Sequence, residues 1–283
     1  MKVRKRHLIA MLLIGMLMSS IQTASGASYK DAPKLEPFTL TQEVISELTR
    51  IDTIATKDSS FCLKGITITA EKPSASSIRL SVKADPRLNL WRGRPNDIAS
   101  SHLGTMKLIV TSIKDKNGKN IHDTSWDKPW SDIITIYNRG KGVFSGSRSA
   151  NFKKVSENAD IRQVSGKIQL SLPVNLEKYV IKAKAPESTK PLLERDTISE
   201  VELSDRGIFI KHPKSTPDFR VTVMGFSSKG ERVSVASAGS AGKKQENHWF
   251  YFSKDTAFEE IRIFVPGKYI ELEIPFAVSL QNK

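Results

Sequence analysis

Apolar and polar residues alternate one for one in stretch after stretch of this chain. Leu63-Lys-Gly-Ile-Thr-Ile-Thr-Ala, Ile78-Arg-Leu-Ser-Val-Lys-Ala, Ile133-Ile-Thr-Ile-Tyr and Gly166-Lys-Ile-Gln-Leu-Ser-Leu-Pro all carry the pattern, and the last resumes after Pro173 as Leu176-Glu-Lys-Tyr-Val-Ile. Met106-Lys-Leu-Ile-Val-Thr-Ser-Ile is a stronger apolar run of the same length. A period of two places one face in a core and the other in water, so these are half-buried strands. They are short, and Asn, Gly, Pro and Ser separate them. That spacing predicts an all-β fold of sandwich or barrel type.

The exception comes early. Leu40, Val44, Ile45, Leu48 and Ile51 recur at helical spacing, with Thr39 or Thr41 placed to cap. One short N-terminal helix is expected here, with a strand as the competing assignment because of the β-branched content. Near the other end, residues 199–203, 207–211, 219–225, 232–237, 248–252, 260–265 and 269–277 read as strands. Seven strands in so short a span suit a small Ig-like sandwich. The lack of a cysteine pair excludes an antibody-type core. Between the halves, Ala183-Lys-Ala-Pro-Glu-Ser-Thr-Lys-Pro has two prolines and no apolar period, and reads as a linker. The expected layout is an extended lead-in at 28–37, a basic β-sandwich domain at 38–184, a linker at 185–196 and an Ig-like sandwich at 197–283. No period of 20–50 residues repeats, which argues against a solenoid or propeller.

Residues 1–27 stand outside that layout. Lys2, Arg4, Lys5 and Arg6 precede an apolar run at residues 8–18, which ends in small and polar residues up to Ala27. These are the three regions of a secretory signal, with cleavage expected after Ala27. The run falls short of the roughly 20 residues that cross a bilayer, and the mature chain has no longer one. The protein is therefore expected to be exported, to the periplasm or beyond, without a transmembrane segment. Two sandwiches behind an export signal resemble, in architecture alone, the periplasmic pilus chaperones, which hold a subunit by strand addition.

Export changes the meaning of the charge. The full chain carries +14, of which the signal accounts for +4. Residues 28–194 hold 27 basic and 18 acidic side chains, whereas residues 195–283 hold 13 and 12. The basic excess thus falls on the first unit. Outside the cytoplasm its natural partners are anionic envelope polymers, glycans or another exported protein, not nucleic acid. Solubility alone is the competing reading.

No catalytic set or cofactor motif is legible. The histidines of the mature chain share no metal-ligand spacing, and Cys62, in Phe61-Cys62-Leu63, reads as a small core residue. Asp115-Lys-Asn-Gly-Lys lacks the acids of a calcium loop and reads as a hairpin turn. Ser125-Trp-Asp-Lys128 has Ser-x-x-Lys spacing, but Pro129 follows and the companion motifs are absent. Trp249 sits at strand spacing and is assigned to the core.

Three places suit a ligand. Asn138-Arg-Gly-Lys-Gly-Val-Phe-Ser-Gly-Ser-Arg-Ser149 supplies glycines, hydroxyls and the cations Arg139, Lys141 and Arg148, and residues 133–156 contain no acid. Backbone amides and forked guanidinium groups of this kind hold anions; a solvated hairpin is the simpler alternative. Arg87-Leu-Asn-Leu-Trp-Arg-Gly-Arg sets Trp91 among Arg87, Arg92 and Arg94, a pattern for a glycan unless Trp91 plugs the sandwich end. Trp126 and Trp130 suit a sugar platform or, alternatively, a cover for a core edge. The expected function is a non-enzymatic envelope binding or interaction protein. A carbohydrate-binding accessory protein using Trp91, Trp126 and Trp130 is the first alternative. A hydrolase with a site assembled from distant residues is the second.

Overall fold

A computed structural model describes residues 36–57, 59–72, 74–92, 99–100, 103–128, 130–139, 143–153, 160–182, 198–204, 206–212, 220–233, 235–241, 246–253 and 257–280. The expected export signal, most of the lead-in and the expected linker lie outside these residues. What is described is mostly β, with one short helix and three sheets.

The helix, α1 (Gln42–Thr49), forms where the apolar spacing requires it. The Thr41 side chain caps it by accepting from the Val44 N–H, and Ile45 and Leu48 are buried with Leu40. The strands follow in chain order: β1 (Ser60–Leu63), β2 (Ile66–Glu71), β3 (Ser77–Ala84), β4 (Trp91–Arg92), β5 (Ala99–Ser100), β6 (Thr105–Asp115), β7 (Ile136–Asn138) and β8 (Phe144–Asn151). The later ones are β9 (Ile161–Lys182), β10 (Glu200–Ser204), β11 (Gly207–Lys211), β12 (Thr222–Phe226), β13 (Arg232–Val233), β14 (Val235–Ala241), β15 (Asn247–Phe252) and β16 (Glu260–Ser279).

Sheet I has the order β1-β2-β3-β8-β7-β4, sheet II β13-β12-β16-β9-β6, and sheet III β10-β11-β15-β14. All pairings are antiparallel except the short parallel one between β4 and β7. β5 adds to β12 at the far side of sheet II from its own sequence neighbours.

Sheet II rests on a ribbon of two unusually long strands. β9 and β16 pair continuously from Glu260↔Lys182 to Ser279↔Gln163. β6 joins β9 over one end of the ribbon, and β12 joins β16 over the other. Sheet I covers the first end and sheet III the second, so the ribbon feeds two apolar cores. The larger contains Leu80, Leu108, Ile168 and Leu170, but also Met224, Phe264 and Phe276 from late in the chain. The smaller gathers Ile210, Val223, Phe250 and Ile263, and takes Ile181 from β9.

Residues 260–265 and 269–277, expected as two strands, are one. Pro266 and Gly267 read as a break, yet the ribbon tolerates them for geometric reasons. Beyond Phe264 β16 pairs with no described strand but β9, apart from the Ser59 N–H that donates to the Ser279 carbonyl, and Pro173 lies just past the end of the β6 pairing. A proline costs no ladder hydrogen bond on an open side. Opposite Gly267 sits Asn175, in the left-handed region with φ 54°, which asparagine reaches more readily than most residues. A Cβ on Gly267 would lie 3.0 Å from the Asn175 carbonyl oxygen. This is where the ribbon passes from one core to the other.

The chain ahead of α1 is fastened to Asn89 and to the same ribbon. Asn89 Nδ2 donates to the Phe38 carbonyl at 2.7 Å, and the Phe38 N–H donates to Asn89 Oδ1 at 2.9 Å. Glu36 bridges Lys178 of β9 (2.9 Å) and Arg262 of β16, while Arg262 also pairs with Glu260 at 2.6 Å. Burial raises the Glu36 carboxyl pKa, but the hydrogen bonds from Lys178 and Arg262 outweigh it and hold the group below its usual value.

Candidate functional site

Alternation gives each sheet an inner face fixed by packing and an outer face free to carry something else. On sheet I the outer residues are consistent in character. β2 presents Thr67 and Thr69, β3 presents Arg79, Ser81 and Lys83, and β8 presents Ser145 and Ser147. Register lines them up in rows: Thr67, Lys83 and Ser145, then Thr69, Ser81 and Ser147. Arg139 leaves β7 beside them, its guanidinium 5.2 Å from the Tyr137 ring centroid.

These residues enclose a groove of about 300 Å³, lined by Thr67, Thr69, Arg79, Ser81, Lys83, Arg139, Ser145 and Ser147, with Val82 and Gly146. Three cations and five hydroxyls line it, and no carboxylate does among the described residues. Glu71 lies directly opposite Arg79 in the register and pairs with it at 3.6 Å, at the edge of the groove. Gly146 keeps the wall close to its neighbours, since a Cβ there would lie 2.3 Å from the Thr135 carbonyl oxygen. A cleft of one charge sign focuses its field, and arginine forks and hydroxyls bind phosphate, sulfate or carboxylate oxygens.

A second groove, of about 610 Å³, lies on the outer face of the ribbon. Thr105, Lys107, Gln169, Ser171, Arg220, Glu271 and Glu273 line it, with Ile133 at its wall. Here two cations face two carboxylates. A third depression behaves similarly: Lys182 and Arg262 share it with Glu259 and Glu260.

The sequence candidates diverge. Arg139, Trp126 and Trp130 are exposed, the tryptophans to 67% and 71%. Trp91 is buried, its indole N–H donating to the Pro86 carbonyl at 2.9 Å and its ring meeting Phe144 edge-on; it plugs the core. Arg87 is half-exposed and committed to a forked pair with Asp85. The Arg92 side chain, Arg94 and Lys141 lie outside the described residues.

Arg148, expected among the ligand-side cations, faces the other way. It takes an inward position of β8, between Gly146 and Ala150, and its side chain is 3% exposed. Its guanidinium reaches Asp132 at 2.5 Å, Asp127 at 3.2 Å and the Leu108 carbonyl. His122 joins this cluster, with Nε2 3.3 Å from Asp127. Burial pushes the His122 pKa below its usual 6.5, and the attraction of Asp127 offsets only part of that. The cluster therefore holds a neutral histidine at pH 7.

Other expectations resolve locally. Cys62 is buried. Asp115 accepts from the Asn117 and Lys119 N–H groups around Gly118 at φ 77°, which makes the 115–119 segment a hairpin turn. Ser125 Oγ donates to Asp123 at 2.7 Å rather than facing Lys128. Trp249, assigned to the core, is only half-buried on the outer face of sheet III and lies over Gly239 of the neighbouring strand. His248 occupies the inner position instead, its ring 5.4 Å from that of His212. Burial, assisted by His212, lowers the His248 pKa to about 4. No group of three or more metal-binding side chains occurs among the described residues, and none of their helices is long and apolar enough to cross a membrane.

Arg79 and Lys83 escaped the sequence reading, although a signal existed. In Ile78-Arg-Leu-Ser-Val-Lys and Phe144-Ser-Gly-Ser-Arg-Ser every outward position is a cation or a hydroxyl. Comparison with known families, curated proteins and solved structures finds no match for the chain.

Proposed function

We propose that the protein is an exported, non-enzymatic binding module of the cell envelope, in which the outer face of sheet I takes an acidic polymer. In this reading residues 1–27 are removed on export, and two Ig-like sandwich units work in tandem in the periplasm or outside the cell. The single observation that carries it is the groove of Arg79, Lys83 and Arg139 over five hydroxyls, with no acid in its lining among the described residues. The basic excess of residues 28–194 supports it, because the groove lies in that unit. The other two grooves, with carboxylates beside their cations, lack this bias. A narrow concave groove favours a chain over a flat lipid surface, and its volume is at the lower limit for a specific site.

Binding of the purified protein to heparin, polygalacturonate and phosphatidylglycerol vesicles, across a salt series, tests this. The polymers are expected to bind at low salt and to dissociate as salt screens the cations. The Arg79→Ala/Lys83→Ala/Arg139→Ala variant is expected to lose that binding. Failure of both polymers to bind at low salt, or preference for the vesicles, would sink the proposal.

A further inference from the structure

Residues 121–128 and 130–134 run along the flank of the larger core, between the β6 edge of sheet II and sheet I. Trp126 and Trp130 both stand out of this segment, more than half exposed. A large aromatic left in water forfeits much of its burial energy, and two within five residues make the loss conspicuous.

The segment is nevertheless well fastened. Asp123 Oδ1 accepts from the Ser125 N–H and from Ser125 Oγ, capping a short 3₁₀ turn at Thr124–Trp126. Ser131 Oγ donates to the Lys128 carbonyl at 2.7 Å and accepts from the Lys128 N–H at 3.0 Å. The Leu108 N–H donates to the Asp132 carbonyl, and the Ile134 N–H donates to Met106. Arg148 grips Asp127, next to Trp126, and Asp132, two residues after Trp130. The backbone is thus tied inward on both sides of each tryptophan while the indoles remain in solvent. Aromatics held out in this way bind with little ordering cost.

The same segment continues into the ribbon groove. Ile133 bridges to Lys107 and forms part of the groove wall. It lies three positions along the chain from Trp130, a span of at most about 10 Å. Register sets Thr105, Ser171 and Glu271 in one row across the groove floor, and Lys107, Gln169 and Glu273 in the next. Gln169 Nε2 donates to Glu273 at 3.1 Å, and Lys167 pairs with Glu273 at 2.8 Å. Amide, hydroxyl and carboxylate groups laid out in rows suit a ligand covered in hydroxyls. The charge balance disfavours an anion, which would meet Glu271 and Glu273. Asp123, Asp127 and Asp132 around the tryptophans disfavour an anionic membrane surface.

We infer that Trp126, Trp130 and the ribbon groove form a binding site for a neutral oligosaccharide. The indoles stack on the C–H faces of pyranose rings, and Gln169, Glu271 and Glu273 take the hydroxyls. The site shares no residue with the cationic groove and stands or falls separately from it.

Neutral hexasaccharides of glucose, N-acetylglucosamine, mannose and xylose are the probes, read by tryptophan fluorescence and calorimetry. At least one is expected to bind and shift the emission, with the same affinity at about 50 and about 500 mM salt. Trp126→Ala, Trp130→Ala and Gln169→Ala are each expected to weaken it at least tenfold, about 1.4 kcal/mol. Both tryptophans are exposed, so the variants should fold. The Arg79→Ala/Lys83→Ala/Arg139→Ala variant is expected to bind the sugar as the wild type does. The inference is overturned if no probe binds at about 10 mM, if the tryptophan variants bind unchanged, or if the indoles insert into neutral vesicles instead.

Discussion

The outer faces of sheet I and of the ribbon in sheet II follow one construction rule and reach different electrostatic results, one basic and one balanced. Both sheets alternate, and both turn their apolar positions into the larger core. On sheet I the outward positions of β2, β3 and β8 collect Arg79, Lys83 and hydroxyls, with Glu71 at the edge. On the ribbon the outward positions of β6, β9 and β16 collect Lys107, Gln169, Glu271 and Glu273. Packing dictates the inner residues of each strand and leaves the outer ones to function. The contrast teaches where a binding reading of a β protein should begin, with the outward half of the alternation.

The most severe test of the comparison removes what lies between the two faces. Arg148→Ala leaves Asp127 and Asp132 turned toward a guanidinium that is no longer there. A loss of about 3 kcal/mol is expected in chemical denaturation, and with it the ordered presentation of Trp126 and Trp130. Arg148→Ala in an Asp127→Asn/Asp132→Asn background should recover part of that loss. An Arg148→Ala protein as stable as the wild type would break the account of the segment.

Next in size is an effect at the other end of the ribbon, which carries neither groove on sheet I nor the tryptophan segment. His248 accepts a proton near pH 4 when folded and near 6.5 when unfolded. Between those values the unfolded chain binds more protons, so stability falls as pH drops through that window. The loss is on the order of 3 kcal/mol at most. His122, with its pKa also lowered, acts in the same direction. His248→Phe should flatten the slope of denaturation midpoint against pH between about 6.5 and 4; an unchanged slope would place the titration elsewhere.

The Arg79→Ala/Lys83→Ala/Arg139→Ala variant sharpens the comparison directly. Heparin affinity at low salt should fall by about a hundredfold, near 2.7 kcal/mol, while thermal stability moves little because all three side chains are exposed. The smallest effect expected is a gain. Glu271→Gln/Glu273→Gln removes the balance of the ribbon groove and should raise low-salt heparin binding by about two- to threefold, a rise that added salt abolishes.

Much of the fold was legible, and what was missed has specific causes. β11 begins and ends where alternation placed it, at Gly207–Lys211, and Leu40, Ile45 and Leu48 placed α1. The continuity of β16 was hidden because Pro266-Gly267 looks like a stop, and only the open side of the ribbon makes it harmless. Trp249 was assigned to the wrong face because His248-Trp-Phe-Tyr-Phe is aromatic throughout, so nothing local fixes which side is inside. Arg148 escaped for a related reason. Its inward neighbours Gly146 and Ala150 are small, and the carboxylates that allow an interior cation come from a separate segment. The site was half visible: Arg139 and the exposed tryptophans stood out as residue types, whereas their grouping with Lys83 or Gln169 depends on strand register.

The central claim is that the outer face of sheet I is the polyanion site. Backbone amide shifts of the labelled protein, followed while a short heparin oligosaccharide is titrated in, test it most directly. The account predicts that perturbations cluster at Thr67, Thr69, Ser81, Lys83, Ser145 and Ser147, with the ribbon groove and sheet III silent. Perturbations centred on sheet III or on the ribbon, with those six amides unmoved at saturation, would contradict it.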